Sequence, residues 1–164
     1  MGHSRVRVPA AADPDNISLP AAATVPDNLI TAYFALFDCL SLPIPSSLPA
    51  AVPPAESDEA FLIYGAGATV GHYLIQLLHL AGYHQIIATA SPKHHAYLRS
   101  LGAKHVFDYS DKDLSSKVLY VNNGKPIKYA VDCITAETTL KQVAGVVGQG
   151  SVVSMMLPLK EGST

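Results

Sequence analysis

Cysteine is scarce in this chain of 164 residues, which contains only Cys39 and Cys133 and has no tryptophan. Two cysteines cannot form a disulfide framework, so we expect a reducing compartment and predict a cytoplasmic protein. Charge is also low, because charged residues make up 15% of the chain and the net charge is −2. There is thus no general electrostatic attraction to nucleic acid or to an anionic membrane, and we expect neither as a partner.

Long apolar runs are missing as well. No run reaches the roughly 18 to 20 residues that cross a bilayer. Arg5 and Arg7 are followed by alternating Pro, Ala and Asp, not by the apolar core of a signal peptide. Apolar residues nevertheless make up 49% of the chain, which is enough to form the packed core of one domain.

The first 58 residues differ in composition from the rest. Residues 1–25 are rich in Ala, Pro and Asp, and we predict a poorly ordered tail there. From Pro26 to Leu42 apolar residues recur at three- and four-residue steps, which predicts a helix that the following prolines end. Five prolines within residues 43–54 indicate a stiff linker. The expected organisation is a tail (1–25), a linking helix with a Pro-rich linker (26–58) and a main domain (59–164).

In the main domain, short apolar runs alternate with segments of helical periodicity. Such runs are typical of strands buried on both faces of a parallel sheet. The predicted strands are residues 61–64, 85–89, 105–107, 129–134 and 151–156. The predicted helices are residues 70–81, 91–101, 111–120 and 140–147, and Gly82, Gly102, Gly148 and Gly150 are expected to end three of them.

This alternation predicts the α/β class, a Rossmann-type doubly wound parallel sheet with strand order 3-2-1-4-5. We expect a sixth strand at the point where the chain stops. Without it, strand five would be an exposed apolar edge from Val152 to Met156 that could pair with another chain. A homo-oligomer formed through this edge is therefore one expectation for assembly.

The chemical signal is a glycine-rich turn between the first strand and a strong helix. Gly65 permits a tight turn, Gly67 and Ala68 let backbone N–H groups approach a pyrophosphate, and Gly71 lets the helix pack closely on the sheet. The helix N-terminus adds a partial positive charge where phosphates would lie. The spacing Gly-x-Gly-x-x-x-Gly is one residue longer than the usual dinucleotide fingerprint. The alternative is a glycine-rich turn that holds no ligand.

The end of the second strand bears on the choice of nucleotide. An NAD site commonly places an Asp or Glu there to hold the ribose hydroxyls, but no acid occurs between Glu59 and Asp108. Ser91 can donate a hydrogen bond and Lys93 supplies a cation, so NADPH is favoured over NADH. The alternative is that Ser91 only caps its helix and that Lys93 is a solvated surface charge.

Several blocks of this sequence resemble the cofactor domain of medium-chain dehydrogenases/reductases, in particular a fungal, zinc-independent branch of trans-acting enoyl reductases and quinone-oxidoreductase-like proteins. The likeness spans roughly residues 24–157. The blocks that carry it are residues 61–82, the Thr-x-Ser-Pro-Lys segment 89–93, residues 101–103 with Phe-Asp-Tyr 107–109, and residues 129–134. Pro26 to Leu42 resembles the helix that links that family's two domains.

The resemblance implies NADPH and a set of residues that hold it. Gly67, Ala68, Thr69, Val70 and Gly71 would lie along the pyrophosphate. Further positions follow from the same resemblance: Ser91 and Lys93 at the adenosine 2′-phosphate, Tyr109 near that phosphate and the adenine, Cys133 and Ile134 beside the nicotinamide ribose, and Thr31 and Met155 near the nicotinamide ring. For Tyr109, simple packing is the alternative; for Cys133, a small buried hydrophobe without a redox role; and for Thr31, a hydrogen bond to its own helix.

Other chemistries lack their motifs. No His-Glu-x-x-His or comparable ligand set indicates zinc, and no tyrosine is followed by lysine at the fourth position, as a short-chain dehydrogenase would have. A methyltransferase would require an acid after the second strand. Neither a Gly-x-Ser-x-Gly elbow nor a Gly-Lys-Ser/Thr phosphate loop occurs.

Two hypotheses for function follow. In the first, the chain belongs to an NADPH-dependent oxidoreductase that transfers a hydride to an activated C=C or C=O bond of a small molecule, such as an enone, a quinone or a thioester-linked enoyl chain. In the second, it is a catalytically silent NADPH-binding module, since the family's N-terminal barrel-like substrate domain is not evident here. A polyketide synthase partner is an expectation from the resemblance. No residue is assigned as catalytic.

Overall fold

The computed structural model describes residues 19–158, with side chains from Val25 onwards. A long helix, α1 (Leu19–Phe34), continues into a π-helical turn at Ala35–Cys39. The predicted start at Pro26 is therefore wrong, because α1 begins at Leu19 and residues 19–25 are helical, not irregular. A run of three alanines favours helix there, and Pro20 lies in the first turn, where a missing N–H costs nothing. The rest of the predicted tail lies outside the described residues.

Residues 42–59 form turns and bends with neither helix nor strand, as expected for a Pro-rich linker. The linker packs along the end of the helix that follows the first strand. Ala50 N donates a hydrogen bond of 2.7 Å to Leu80 O. Gly82, with φ +90°, lies so close to the linker that a Cβ would be 3.1 Å from Pro54 Cδ. The turn at Gly82 thus ends a helix and makes room for the linker.

The main domain alternates strands and helices as predicted. Its strands are β1 (Ala60–Tyr64), β2 (Gln85–Thr89), β3 (His105–Phe107), β4 (Ile127–Asp132) and β5 (Val147–Met155). Its helices are α2 (Thr69–Leu80), α3 (His95–Ser100), which follows a 3₁₀ turn at Pro92–His94, α4 (Leu114–Val121) and α5 (Glu137–Ala144).

The five strands form one parallel sheet with the order β3-β2-β1-β4-β5, which confirms the predicted Rossmann-type topology. One face of the sheet packs against α1, α2 and α3, and the other packs against α4 and α5. The central strand β1 is buried along its whole length, as its unbroken apolar run requires. The carboxyl ends of β1, β2 and β4 therefore meet at one edge of the sheet.

The boundary between α5 and β5 differs from the prediction. The helix ends at Ala144, and Gly148 and Gly150 belong to β5, which begins four residues before Ser151. The pairing of β4 with β5 has a register irregularity at this point, and such an irregularity accommodates glycines within a strand. A Cβ on Gly148 would lie 2.8 Å from Pro126 Cβ, so this glycine permits a close approach between chain segments and does not end a helix.

Among the described helices, none combines the length and the apolar character needed to cross a membrane.

Candidate functional site

A cavity of about 480 Å³ opens at the carboxyl edge of the sheet. It lies where the chain order reverses between β1 and β4, the place where ligands bind in open α/β sheets. The lining residues come from the ends of β1, β2 and β4, the segment after β3, and α5: Tyr64, Gly65, Gly67, Ala68, Ala90, Ser91, His94, Tyr109, Ile134, Thr138, Thr139 and Gln142. No Asp, Glu, Lys or Arg occurs among them.

The glycine-rich turn forms one wall and is fixed to β2. Gly65 has φ +73°, a conformation that L side chains rarely adopt. Its N–H donates to Thr89 Oγ1 at 3.0 Å, and Ala66 N donates to Thr89 O at 2.8 Å. Ala68 N closes the turn by donating to Gly65 O at 3.1 Å. The turn is therefore held by hydrogen bonds before any ligand arrives.

Gly71 and Gly67 keep space free for close contacts. A Cβ on Gly71 would lie 2.6 Å from Ala66 Cα, so any side chain there would clash with backbone. The third glycine therefore permits a close approach between α2 and the turn, whereas the prediction was close packing of the helix on the sheet. A Cβ on Gly67 would lie 3.1 Å from His94 Cδ2, so this glycine leaves room beside the imidazole ring.

The N-terminus of α2 points its first amides towards this turn. The amides of Thr69, Val70 and Gly71 precede the first intrahelical bond, in which His72 N donates to Ala68 O at 3.2 Å. No side chain caps them. Unpaired amides and the positive end of a helix dipole form a binding site for an anion. Thr69, Val70 and Gly71 are not among the residues that line the cavity, so any contact they make with a ligand would be through their backbone amides.

The segment after β2 brings Ser91 into the cavity and leaves Lys93 outside. Ser91 occupies the N-cap position of the 3₁₀ turn, but its hydroxyl makes no capping hydrogen bond. The alternative that this side chain only caps its helix is therefore not what the structure shows. Lys93 is exposed and is not among the lining residues, so its contact with a phosphate stays a prediction.

Two partly exposed apolar side chains stand at the cavity, Tyr109 at 46% exposure and Ile134 at 45%. Ile134 covers the first glycine, because a Cβ on Gly65 would lie 2.5 Å from Ile134 Cγ1. Cys133, its neighbour, is buried and does not line the cavity. Burial, and secondarily the nearby Asp132, raise the pKa of the Cys133 thiol to about 12, which keeps it protonated at neutral pH.

Asp132 at the end of β4 organises the turn that carries Ile134. Its carboxylate is fully buried and accepts hydrogen bonds from Ile134 N at 2.9 Å and Thr135 N at 3.0 Å. Thr139 Oγ1 donates to the other oxygen at 2.5 Å. Thr135 has φ +54° within this turn. These bonds end β4 at Asp132, two residues earlier than predicted, because the chain turns to satisfy the carboxylate.

Sequence reasoning missed the wall that α5 contributes, together with Tyr64, Ala90 and His94. The Tyr64 hydroxyl donates to Gln142 Oε1, which joins two lining side chains from β1 and α5. Burial raises the pKa of Tyr64 to about 12, with further contributions from Asp132 and Tyr109. The spacing Asp132-x-x-Thr135-x-x-x-Thr139 after a buried strand is the sequence signal that could have predicted this wall.

Thr31 and Met155 do not line the cavity. Thr31 is exposed, and its hydroxyl donates to Asp27 O at 2.7 Å, the hydrogen bond within its own helix that was the alternative. Met155 lies at the end of β5 with 50% of its surface exposed. The contacts of Thr31 and Met155 with the nicotinamide therefore stay predictions.

Within residues 19–158, no group of three or more His, Cys, Asp or Glu side chains is arranged to hold a metal ion. The described residues therefore do not fit a structural or catalytic zinc with protein ligands from this part of the chain alone.

Comparisons with known proteins identify the family of the chain. The family model described as zinc-binding dehydrogenase matches residues 69–158. A trans-enoyl reductase from Pyrenochaetopsis sp. is 34% identical over 137 residues, which are 83% of this chain and 36% of that protein. A dual trans-enoyl reductase/FAD-dependent monooxygenase from Aspergillus terreus is 34% identical over 148 residues, 90% of this chain and 20% of that protein. The chain thus spans well under half the length of these relatives.

Solved structures show the same fold. The CurK enoyl reductase superposes with a TM-score of 0.68 at 26% identity, covering 88% of this chain and 39% of that one. An NAD-dependent alcohol dehydrogenase superposes with a TM-score of 0.73 at 26% identity, covering 93% of this chain and 41% of that one. The glycine turn, the sheet order and these matches agree, and the chain belongs to the zinc-binding dehydrogenase family of the medium-chain dehydrogenase/reductase superfamily, corresponding to the nicotinamide-nucleotide-binding part of its members.

Proposed function

We propose that this chain binds NADPH in the cavity at the carboxyl edge of the sheet, as the cofactor-binding part of an oxidoreductase that reduces an activated C=C or C=O bond. The observation that carries the proposal is the uncapped start of α2 beside the Gly65–Gly71 turn. That arrangement suits a pyrophosphate. The cavity also has no acidic lining residue, which removes repulsion against a 2′-phosphate.

The glycine turn, the start of α2 and the lining residues together suggest how the nucleotide would be held. The amides of Gly67, Thr69 and Val70 would donate to the pyrophosphate, and the free hydroxyl of Ser91 would donate to the 2′-phosphate. Tyr109 and Ile134 offer partly exposed apolar surface that would cover the nucleoside. When bound, the reduced nicotinamide supplies a hydride. The roles of Lys93, Thr31, Cys133 and Met155 stay predictions from the resemblance.

The substrate class rests on the relatives. Several are trans-enoyl reductases, and CurK is an enoyl reductase. We propose a small molecule with an activated double bond as substrate, for which a thioester-linked enoyl chain is the first candidate and enones and quinones are others. A polyketide synthase partner and a cytoplasmic location are part of the same proposal. Hydride transfer also needs a substrate carbon held against the nicotinamide in a closed cleft.

The experiment is a calorimetric titration of the chain with NADPH and with NADH. We expect NADPH to bind with micromolar affinity and NADH at least tenfold more weakly. Failure of both nucleotides to bind would contradict the proposal, and equal affinities would contradict the choice of NADPH. If neither nucleotide binds, the anion site at the glycine turn of this chain has another ligand.

The second candidate is a catalytically silent NADPH-binding module. It is favoured by the extent of the match, because this chain corresponds to 36% of the length of the trans-enoyl reductase from Pyrenochaetopsis sp.. The two candidates are separated by following NADPH absorbance with a crotonyl thioester, an enone and a quinone. Turnover above the buffer rate supports the reductase, whereas NADPH binding without turnover supports the silent module for these 164 residues.

A further inference from the structure

Two histidine rings meet at the edge of the sheet opposite the proposed nucleotide cavity. His79 lies in the last turn of α2, and His84 directly precedes β2. The centroids of the two rings are 6.1 Å apart, and the ring planes are inclined at 71°. The cavity lies at the carboxyl ends of the strands, beside the start of α2, so the lengths of α2 and β2 separate the histidine pair from it.

The turn that ends α2 brings the two rings together. Residues five apart on a continuous α-helix do not share a face, because the helix has 3.6 residues per turn. Here the helix ends two residues before Gly82, whose φ of +90° lets the chain reverse. Tyr83 N donates to Leu78 O at 3.0 Å and holds the reversal. Backbone hydrogen bonding therefore places His84 beside His79.

A second glycine positions the ring of His79. A Cβ on Gly102 would lie 2.7 Å from His79 Cγ and 3.1 Å from His79 Nδ1, so the glycine leaves room for the imidazole ring. Both histidines are exposed, and in the part of the chain that the structure describes neither ring has a hydrogen-bond partner. Each neutral ring therefore has a nitrogen lone pair that is free to bind a ligand from solvent.

The distance between the rings suits one metal ion between them. Zinc bonds an imidazole nitrogen at about 2.0–2.1 Å, so two such bonds at a tetrahedral angle place the ring centroids roughly 5 Å apart. The observed separation is 6.1 Å, and a small rotation of either exposed side chain closes the difference. The carboxyl-terminal end of α2 adds a partial negative charge that favours a cation. Nitrogen ligands favour Zn²⁺, Ni²⁺ and Cu²⁺ over Mg²⁺ and Ca²⁺, which prefer oxygen.

We propose that His79 and His84 form a binding site for a divalent transition-metal ion, whose remaining coordination positions are filled by water. Within residues 19–158 no third His, Cys, Asp or Glu joins the pair, so the site differs from a catalytic or structural zinc with three or four protein ligands. The bound ion would join the end of α2 to the start of β2. The site shares no residue with the nucleotide cavity and does not depend on the proposed function.

The test is a titration of the whole chain with zinc chloride, followed by NMR of the histidine ring nitrogens and by calorimetry. The chain has seven histidines, so the signals of individual rings are needed to show which of them bind the ion. The variants are His79→Gln, His84→Gln and the double variant, which replace the imidazole with a polar side chain. His105→Gln is the matched control, because the ring of His105 stacks on Phe107 and not on another histidine. Magnesium chloride is the control cation.

We expect zinc to shift the ring signals of His79 and His84 together and each single substitution to weaken zinc affinity at least tenfold. The double variant should lose little more than either single variant, because one ion needs both rings at once. Zinc should raise the melting temperature of the wild type and of His105→Gln, but not that of the double variant. Magnesium should leave both ring signals in place.

Two results would overturn the inference. The first is a zinc titration that leaves the ring signals of His79 and His84 unmoved, whether or not other histidines respond. The second is an unchanged zinc affinity in either single variant, since a shared ion cannot be held by one ring as well as by two. Melting temperatures without zinc confirm that each variant is folded, so a lost affinity reports on the site itself.

Discussion

The two ends of the cavity are built in different ways. At the turn from Gly65 to Gly71, the backbone forms the site, with glycines that permit close contacts and amides left free by the start of α2. At the turn from Asp132 to Thr139, side chains form the site, and one buried carboxylate holds the loop that carries Ile134. The first end depends on the absence of side chains and the second on a single side chain, so substitutions should act on them differently.

The largest effect is expected at the end held by side chains. Asp132→Asn replaces a buried carboxylate that accepts from two amides and a hydroxyl with a group that has only one acceptor oxygen. We expect a loss of about 2–4 kcal/mol in the free energy of unfolding, since hydrogen bonds to charged groups are strong and a buried donor would be left unpaired. Urea unfolding measures it. The exposed Asp113→Asn is the control, and an effect no larger than that control would contradict this view of the turn.

At the glycine end, Gly71→Ala should rank next. The added Cβ would lie 2.6 Å from Ala66 Cα, so α2 must move away from the turn. Such overpacking costs about 1–3 kcal/mol, and nucleotide affinity should fall with it because the amides move too. Gly145→Ala is the matched control, because Gly145 has φ −71° and its closest neighbour is the flexible Ser115 Oγ at 3.2 Å. Equal stability of the two variants in urea would show that α2 does not need the glycine.

The buried thiol next to the carboxylate gives a pH prediction. The pKa of Cys133 is raised to about 12 in the folded protein, so the folded state holds this proton more tightly than the unfolded state does. The stability that this provides is fully present below the ordinary thiol pKa of roughly 8.5 and is lost as pH rises towards 12. Cys133→Ala should therefore flatten the alkaline side of the stability curve, measured as melting temperature between pH 8 and 11. A slope identical to that of the wild type would contradict the burial of the thiol.

The smallest effect on stability is expected from Ile134→Ala. This side chain is 45% exposed, so its truncation should cost well under 1 kcal/mol in folding. It covers Gly65 at the cavity, however, and its loss should weaken NADPH binding several-fold. Calorimetry on the variant and on Ile44→Ala, a control on the exposed linker, separates the two effects. An unchanged affinity for NADPH would show that Ile134 is not part of the binding surface.

The same contrast explains what the sequence could predict. The glycine turn and the sheet order follow from local patterns, because glycine spacing and alternating apolar runs have a direct backbone meaning. The wall from α5 does not, since Thr138 and Gln142 reach the cavity only after Asp132 has turned the chain. The start of α1 is not predictable from Pro26, which favours a first-turn position but lies inside the helix, after alanines that favour helix. His94 lines the cavity and Lys93 does not, because a sequence does not reveal which of two adjacent side chains faces inward.

The most direct test of the central claim is a backbone amide NMR titration with NADPH. If the glycine turn binds the pyrophosphate, the amide signals of Gly67, Thr69, Val70 and Gly71 should show the largest shifts, and those in the Gly148–Ser151 segment of β5 should stay in place. Saturable NADPH binding that leaves these four amides unmoved, or no binding at all, would contradict the account.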